Sequence, residues 1–264
     1  MLYCLRRDQV KLSSVSAEKF CKFNLFFGDC MKDDQFWANY FMTYDLLSEA
    51  LPYQRLLTDL IKVLEVNRGD LILDAGSGTG NLSIRLKEYG AKPTGYDFSA
   101  KALEIHLRKD KDAEVHLGDL RNKLPFPDNY FDKIVSNNVL YTISKKDRLA
   151  ILKEFYRILK GNGKFVMANV HTGFNPLIIF KDHLKENIKI NGASKTLKDL
   201  ISKCYGLGKL FYYSILLINQ HKNGKYAFLE KDEQRILLRQ AGFKVNNNTI
   251  NSYSNQSYID IGIK

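Results

Sequence analysis

Asp74 ends an apolar run, Leu71-Ile72-Leu73, and glycine then takes three of the next six positions, Gly76, Gly78 and Gly80. Packing alone gives no reason for that pattern. Without Cβ atoms the chain can turn sharply and a ligand can lie against the backbone. Dinucleotide sites use G-x-G-x-x-G and aim a helix N-terminus at a pyrophosphate. Here the spacing is G-x-G-x-G and a carboxylate stands just before it, which disfavours a pyrophosphate and a nicotinamide dehydrogenase. The same carboxylate suits a ligand bearing an ammonium or sulfonium charge, and S-adenosylmethionine carries both and no phosphate. Asp97 follows Gly76 by 21 residues, where a carboxylate can accept hydrogen bonds from both ribose hydroxyls. Phe98 beside it can pack on the adenine face. Asp119 can accept from the adenine amino group, and Leu120 can line the ring. Three acids, each ending a predicted strand, point to one cofactor cradle.

Those acids need strands to carry them. Apolar residues at 56, 57, 60, 61, 63 and 64 have helical periodicity, with Pro52 placed at a helix start. The first strand is expected near residues 70–74, and a helix over 81–88 stops at Gly90. "KPTGYD" is the second strand, Ser99 caps the next helix, and "AEVHL" and "FDKIVSN" are the third and fourth strands. "DRLAILKEFYRIL" is helical, and "KGNG" turns into the fifth strand, "KFVMANV". Strand–helix alternation predicts an α/β fold, a doubly wound parallel sheet covered on both faces, with ligands outside the carboxyl ends of the strands.

Residues 171–230 break the rhythm. Asn175-Pro176 reads as N-cap and first helical residue, and Leu177, Phe180, Leu184 and Ile188 share a face. Thr196 and Asp199 resemble a capping box, and the stripe Leu197, Leu200, Ile201, Cys204 is expected to stop at Gly206. Two or three lid-like helices inserted after the fifth strand are expected, then the helix "KDEQRILLRQAGF" and two strands near 243–250 and 256–263. The division is a helical cap segment over 1–52 and one domain over 53–264 that contains the lid.

The chain has 264 residues, 45% hydrophobic and 26% charged, which suits a globular α/β domain rather than a disordered or fibrous chain. The four cysteines lack C-x-x-C spacing and stand near no histidine cluster, so neither a metal site nor a disulfide framework is expected, and a cytoplasmic location fits. No apolar run reaches the roughly 20 residues of a membrane span. The net charge of +11 is concentrated: residues 171–231 hold ten basic and four acidic side chains. That excess attracts nucleic acid, an anionic membrane surface or an acidic small molecule.

"LILDAGSGTGN", "GYDFS", "GDLRNKLPFPDNYFDKIVSNNVLY", "EFYRILKGNGKFVMA" and "LLRQAGF" together resemble the class I S-adenosylmethionine-dependent methyltransferases, across residues 37–170 well and 231–264 more loosely. The usual Pro-Gly-Gly turn before the fifth strand is Gly161-Asn162-Gly163 here. The resemblance implies a Rossmann-like sheet of seven strands with the last antiparallel, and it places Asn137 in the segment behind the methyl donor. "FWANYFMTYDLLSEALPYQRLL" is similar to the segment that caps the cofactor in small-molecule members, including the ubiquinone and menaquinone biosynthesis type, so Tyr44 is expected to contact the methionine moiety.

Methyl transfer is an in-line displacement at a carbon already activated by positive sulfur, so holding the nucleophile in line matters most and no obligatory triad is needed. His171 and Tyr141 are the candidates for a proton or substrate role, with Asn138 nearby. Asn137-Asn138-Val139-Leu140 lacks the proline-aromatic pattern that grips a planar amino group, which weakens nucleic-acid methylation. Phe174, Leu177, Ile178, Phe180, Phe211, Tyr212, Tyr213 and Leu216 are expected to line an acceptor pocket. The expectation is a methyltransferase for a small, acidic or lipid-like acceptor. The alternatives are an RNA or protein methyltransferase that uses the basic insert, and a non-catalytic cofactor-binding subunit.

Overall fold

The computed structural model describes residues 36, 37, 39–41 and 46–264. Short helical turns at 36–37, 39–41 and 46–48 precede α1 (Leu51–Leu64), which has Pro52 in its first turn and buries Leu56, Leu57, Leu60, Ile61 and Leu64 along one stripe. Glu65 ends it in the left-handed region, at φ 54°. The chain continues through β1 (Leu71–Ala75), α2 (Asn81–Glu88), β2 (Lys92–Asp97), α3 (Ala100–Lys109), β3 (Glu114–Leu117), β4 (Phe131–Asn137), α4 (Lys145–Ile158) and β5 (Leu159–Val170). Ser99 caps α3 by accepting from the Ala102 amide at 3.4 Å. The lid follows as α5 (Pro176–Asn191) and α6 (Ala193–Lys222), then α7 (Glu233–Gln240), β6 (Lys244–Val245), β7 (Ile250–Ser252) and β8 (Ser257–Ile263).

One sheet runs in the order β3-β2-β1-β4-β5-β8-β6, with β7 beside β8. The first five strands are parallel, and β8 pairs antiparallel with β5 from Lys164↔Ile263 to Val170↔Ser257. Alternate residues serve the two faces: Ile72, Val135 and Val166 join α1 and α2, while Leu73, Ile134 and Phe165 join α4 and α7. The expected mostly parallel sheet with its last strand antiparallel is therefore present, with one modification. β6 and β7 lie along the same edge of β8, so the seventh, edge place is a strand broken at residues 246–249. That break is held out by α7: Arg235 donates to the Asn247 carbonyl, and Arg239 donates to Asn247 Oδ1 at 2.8 Å.

The lid corrects another expectation. Gly206 does not stop a helix, because α6 runs for 30 residues from Ala193 to Lys222. A Cβ on Gly206 would lie 2.1 Å from Leu46 Cδ1, so the glycine permits close packing of the lid on the N-terminal segment. Leu197 and Ile201, two members of the predicted stripe, face outward.

Candidate cofactor and acceptor site

The carboxyl ends of β1, β2 and β4, with the segment after β3, meet at one cavity of about 120 Å³. Asp74, Gly76, Gly78, Asp97, Phe98, Asp119, Leu120, Asn137 and Tyr141 all line it, so the parallel sheet brings nine of the sequence candidates together. Tyr44 lies outside the described residues.

Asp74 is 1% exposed and accepts from Ser83 Oγ at 2.7 Å. Burial pushes its carboxyl up to about 7; the Ser83 hydrogen bond opposes the rise and the charge of Asp97 adds to it. Asp97 organises the turn itself, since its Oδ2 accepts from the Gly78 amide at 2.8 Å and its Oδ1 from the Ser99 amide at 2.9 Å. Gly76 and Ser77 both donate to the Tyr96 carbonyl, at 2.7 and 3.2 Å. Gly76 has φ +80°, and a Cβ there would lie 2.2 Å from Val139 Cγ2.

Gly80 differs from what its place in the motif suggests. It does not line the cavity; its φ is +81°, and a Cβ would lie 2.1 Å from His106 Cδ2. Its role is to seat the turn on α3, where His106 is 1% exposed and pushed down to about 4 by burial. Asp119 lines the cavity, but its carboxylate is already held by Arg121, with Nε at 3.0 and 2.9 Å from its two oxygens. The Arg121 amide also donates to Oδ1 at 2.9 Å and its Nη2 to Oδ2 at 2.5 Å, so each oxygen already accepts twice and an adenine amino group would have to displace part of the Arg121 fork.

The same cavity has an aromatic lining. Tyr40, Tyr53, Tyr141 and Tyr253 reach the cavity from four separate segments. Burial raises the phenols of Tyr40, Tyr141 and Tyr253, and neighbouring tyrosines raise them further. They are neutral hydrogen-bond donors at any ordinary pH, which assigns Tyr141 a donor role rather than that of a base. Trp37 Nε1 donates to Tyr226 Oη at 3.1 Å and fixes the N-terminal segment against the end of the lid.

His171 is a correction. It is absent from the cavity lining, its Nδ1 accepts from the Gly173 amide at 3.0 Å, and its Nε2 donates to the Asn255 carbonyl at 2.7 Å. Both nitrogens are committed, and the ring stacks on Tyr258 at 4.8 Å. His171 positions the β7–β8 turn, from which Tyr253 enters the cavity. Tyr53, Val139 and Tyr253 are lining residues that the sequence reading missed. Tyr53 was legible only as part of a helix stripe, and "NSYSNQSY" has no pattern that singles out Tyr253.

The cavity contents suit the cofactor expected from the motif. Among the described residues, no lysine, arginine or histidine lines it, so nothing there welcomes a phosphate. Asn137 Oδ1 and Asn138 Oδ1 are buried with no hydrogen-bond partner, so two lining carbonyl oxygens await a donor or a positive charge.

A second cavity of about 290 Å³ lies between α1, α5 and α6. It shares Tyr40, Leu47, Phe174 and Tyr253 with the first. Phe180 and Phe211 line it as expected of an acceptor pocket. Leu177, Ile178 and Tyr212, expected beside them, are instead exposed to solvent.

A methyltransferase-domain family model matches residues 73–167, the stretch that carries all three acids. Demethylmenaquinone methyltransferase of Staphylococcus saprophyticus is 30% identical over 76% of this chain and 82% of its own. The Listeria welshimeri protein of the same name is 31% identical over 46% of this chain and 55% of its own, so the chain spans about half the length of several such relatives. Among solved structures, an S-adenosylmethionine-dependent methyltransferase from Aquifex aeolicus superposes with a TM-score of 0.52 at 15% identity, covering 78% of this chain and 88% of that one. At that identity the likeness speaks for the fold.

Proposed function

The chain belongs to the class I S-adenosylmethionine-dependent methyltransferases, of the quinone-biosynthesis type, and from that premise we propose that it methylates a quinone-like small molecule in its reduced, electron-rich form. The observation that carries this reading is the composition of the first cavity: three carboxylates, two unpartnered amide oxygens, neutral aromatics, and no basic side chain among the described lining residues. Bound S-adenosylmethionine supplies an electrophilic methyl group on positive sulfur. Asp74 meets its cationic groups, Asp97 its ribose, and Asp119 with Leu120 its adenine. Asn137 and Asn138 present amide oxygens beside the site of transfer.

The described lining offers no histidine, lysine or cysteine, and its phenols are held protonated. A hydroquinone, whose phenolic proton ordinarily leaves at about pH 10, must then pass that proton to water or to a lining carboxylate as the methyl group is transferred. The buried tyrosine hydroxyls then donate hydrogen bonds to the resulting anion. The sulfur–methyl bond breaks as the acceptor–methyl bond forms, and S-adenosylhomocysteine leaves. The second cavity, sharing a wall with the first, gives the apolar remainder of the acceptor a place to lie.

The test is transfer of radiolabelled methyl from S-adenosylmethionine to a panel of hydroquinones, their oxidised quinones and bulk RNA. Labelling of hydroquinones alone supports the proposal. Calorimetry showing no binding of S-adenosylmethionine or S-adenosylhomocysteine, or labelling of RNA alone, would overturn it.

A further inference from the structure

Nine of the twelve large hydrophobic side chains exposed among the described residues belong to the two lid helices. Scattered apolar residues on a surface need no explanation, but a concentration on one element does. On α6 they are Leu197, Ile201, Tyr205, Tyr212 and Ile215, spaced by four, four, seven and three positions, which keeps them on one helical face. On α5, Leu177 and Ile188 share the outer face with Lys181 and Lys185. The usual amphipathic arrangement is thus reversed, with apolar groups turned out on helices that already line a cavity beneath.

Charge on the lid is sorted in the same way. The acids turn inward: Asp182 and Glu186 pair with Arg55 of α1, the former at 3.7 Å. Apart from Lys203, which pairs with Glu49 and lines the second cavity, the lid lysines are exposed. Lys181, Lys185, Lys189 and Lys198 are exposed and form no ion pair among the described residues. Lys209 lies 4.6 Å over the ring of Tyr205, at the edge of the apolar stripe. Among the described residues no helix is long and apolar enough to cross a bilayer, so a bilayer could meet α5 and α6 only along an outer face. Apolar side chains flanked by long cationic stems match the boundary of an anionic bilayer, where the stems reach the headgroups and the apolar groups enter the acyl region.

We propose that the outer face of α5 and α6 docks on an anionic lipid bilayer. The docking places the roof of the second cavity against lipid, so a lipid-dissolved acceptor need not cross water to reach it. The interaction itself does not depend on methyl transfer and is measured without cofactor or acceptor.

Cys204 is exposed and lies beside the α6 stripe, which makes it a native labelling point. With Cys4, Cys21 and Cys30 replaced by serine, an environment-sensitive fluorophore on Cys204 reports what covers the face. Vesicles of equimolar phosphatidylcholine and phosphatidylglycerol should shift its emission to the blue, and pure phosphatidylcholine should not. Binding in sedimentation should weaken with salt. Each Lys→Gln change at 181, 185 or 198 should weaken it about fivefold, and Ile201→Asn with Tyr205→Asn should reduce it further. Unchanged calorimetric binding of S-adenosylhomocysteine shows that the variants fold.

Absence of vesicle binding, equal binding to neutral vesicles, or indifference to these substitutions would overturn the proposal. So would a blue-shifted label before any lipid is added, since residues 1–35 or a second copy of the chain would then cover the face. Competition by RNA with no loss in the apolar variants would assign the lysines to nucleic acid instead.

Discussion

On the proposed role of Asp74, cofactor binding should be coupled to protons. Its folded value of about 7 stands far above the ordinary 3.8 because the carboxyl is desolvated. Without ligand, the folded protein holds a proton there that the unfolded chain has lost. Its contribution to stability is full below about pH 4 and disappears as the pH rises through about 7. A cation in the cavity needs the carboxylate and expels that proton. Affinity for S-adenosylmethionine should therefore rise about tenfold per pH unit up to about pH 7 and then level off. Calorimetry across pH, repeated for Asp74→Asn, checks this; the variant should bind weakly with a flat profile, and a flat wild-type profile would refute the coupling. Gly80 makes a steric prediction. Gly80→Ala incurs about 1–2 kcal/mol for the left-handed backbone and about 1–3 kcal/mol for the collision with His106. In a His106→Ala background only the first cost should remain, and denaturant unfolding of the four proteins measures the difference. Asp74, Asp97 and Asp119 were legible because each ends a predicted strand. His171 was misread because its partner Asn255 is 84 positions away and no pattern joins them.

Whole elements carry their own strain and anchorage. Tyr253, Ser254 and Asn255 form three consecutive left-handed residues, at φ 55°, 57° and 59°, in the turn that carries Tyr253 into the cavity. Ser254 also buries an Oγ with no hydrogen-bond partner. Ser254→Gly relieves about 1–2 kcal/mol of backbone strain and removes the unpaired hydroxyl, against about 0.4–1 kcal/mol of added unfolded-state entropy. The net should be a gain of about 1 kcal/mol, read as a melting temperature higher by about 2 °C. A lower melting temperature would mean that the turn is not strained. Arg148, 1% exposed, ties α4 to the end of the lid and to α7: it pairs with Glu233 at 2.8 Å, donates to the Ile143 carbonyl at 3.1 Å and reaches the Ala227 carbonyl. Arg148→Met should destabilise by about 3 kcal/mol, the low end for breaking a buried pair, because Glu233 keeps some contact with water. Denaturant unfolding measures that loss, and a cost below about 1 kcal/mol would show the anchor to be dispensable. Helices such as α1 and α4 were legible from their stripes because local periodicity and burial agree. The course of α6 was not, since glycine inside a helix normally costs about 1 kcal/mol and the reason to keep Gly206 is Leu46, distant in sequence. The break between β6 and β7 was hidden likewise, because the arginines that hold Asn247 out come from α7.

At the scale of the whole molecule, composition announced a net charge of +11 but not its sorting into an acid-lined cleft and a lysine-bearing lid face. That sorting needs the tertiary structure, which brings strand ends 23 and 22 positions apart to one cleft and turns the lid acids inward. The same structure ties the two cavities together. Tyr40, Leu47, Phe174 and Tyr253 come from the N-terminal segment, the start of the lid and the β7–β8 turn, and each belongs to both walls. A ligand in the first cavity therefore touches groups that also shape the second. Ligand at a hundred times its dissociation constant stabilises the folded state by about 2.7 kcal/mol, and local exchange shows where that stabilisation is felt. With saturating S-adenosylhomocysteine, amide hydrogen exchange should slow at the glycine turn and also in α1 around Tyr53, in α6 near Leu217 and around Tyr253. The outer part of α6, from Leu197 to Tyr205, should exchange as before, because it lines only the second cavity, away from the wall the two share. Protection confined to residues 76–82 and 97–99 would show that the cofactor site closes alone. Protection spread over α1, the lid and the β7–β8 turn would mean that filling the first cavity sets the shape of the second before the acceptor arrives.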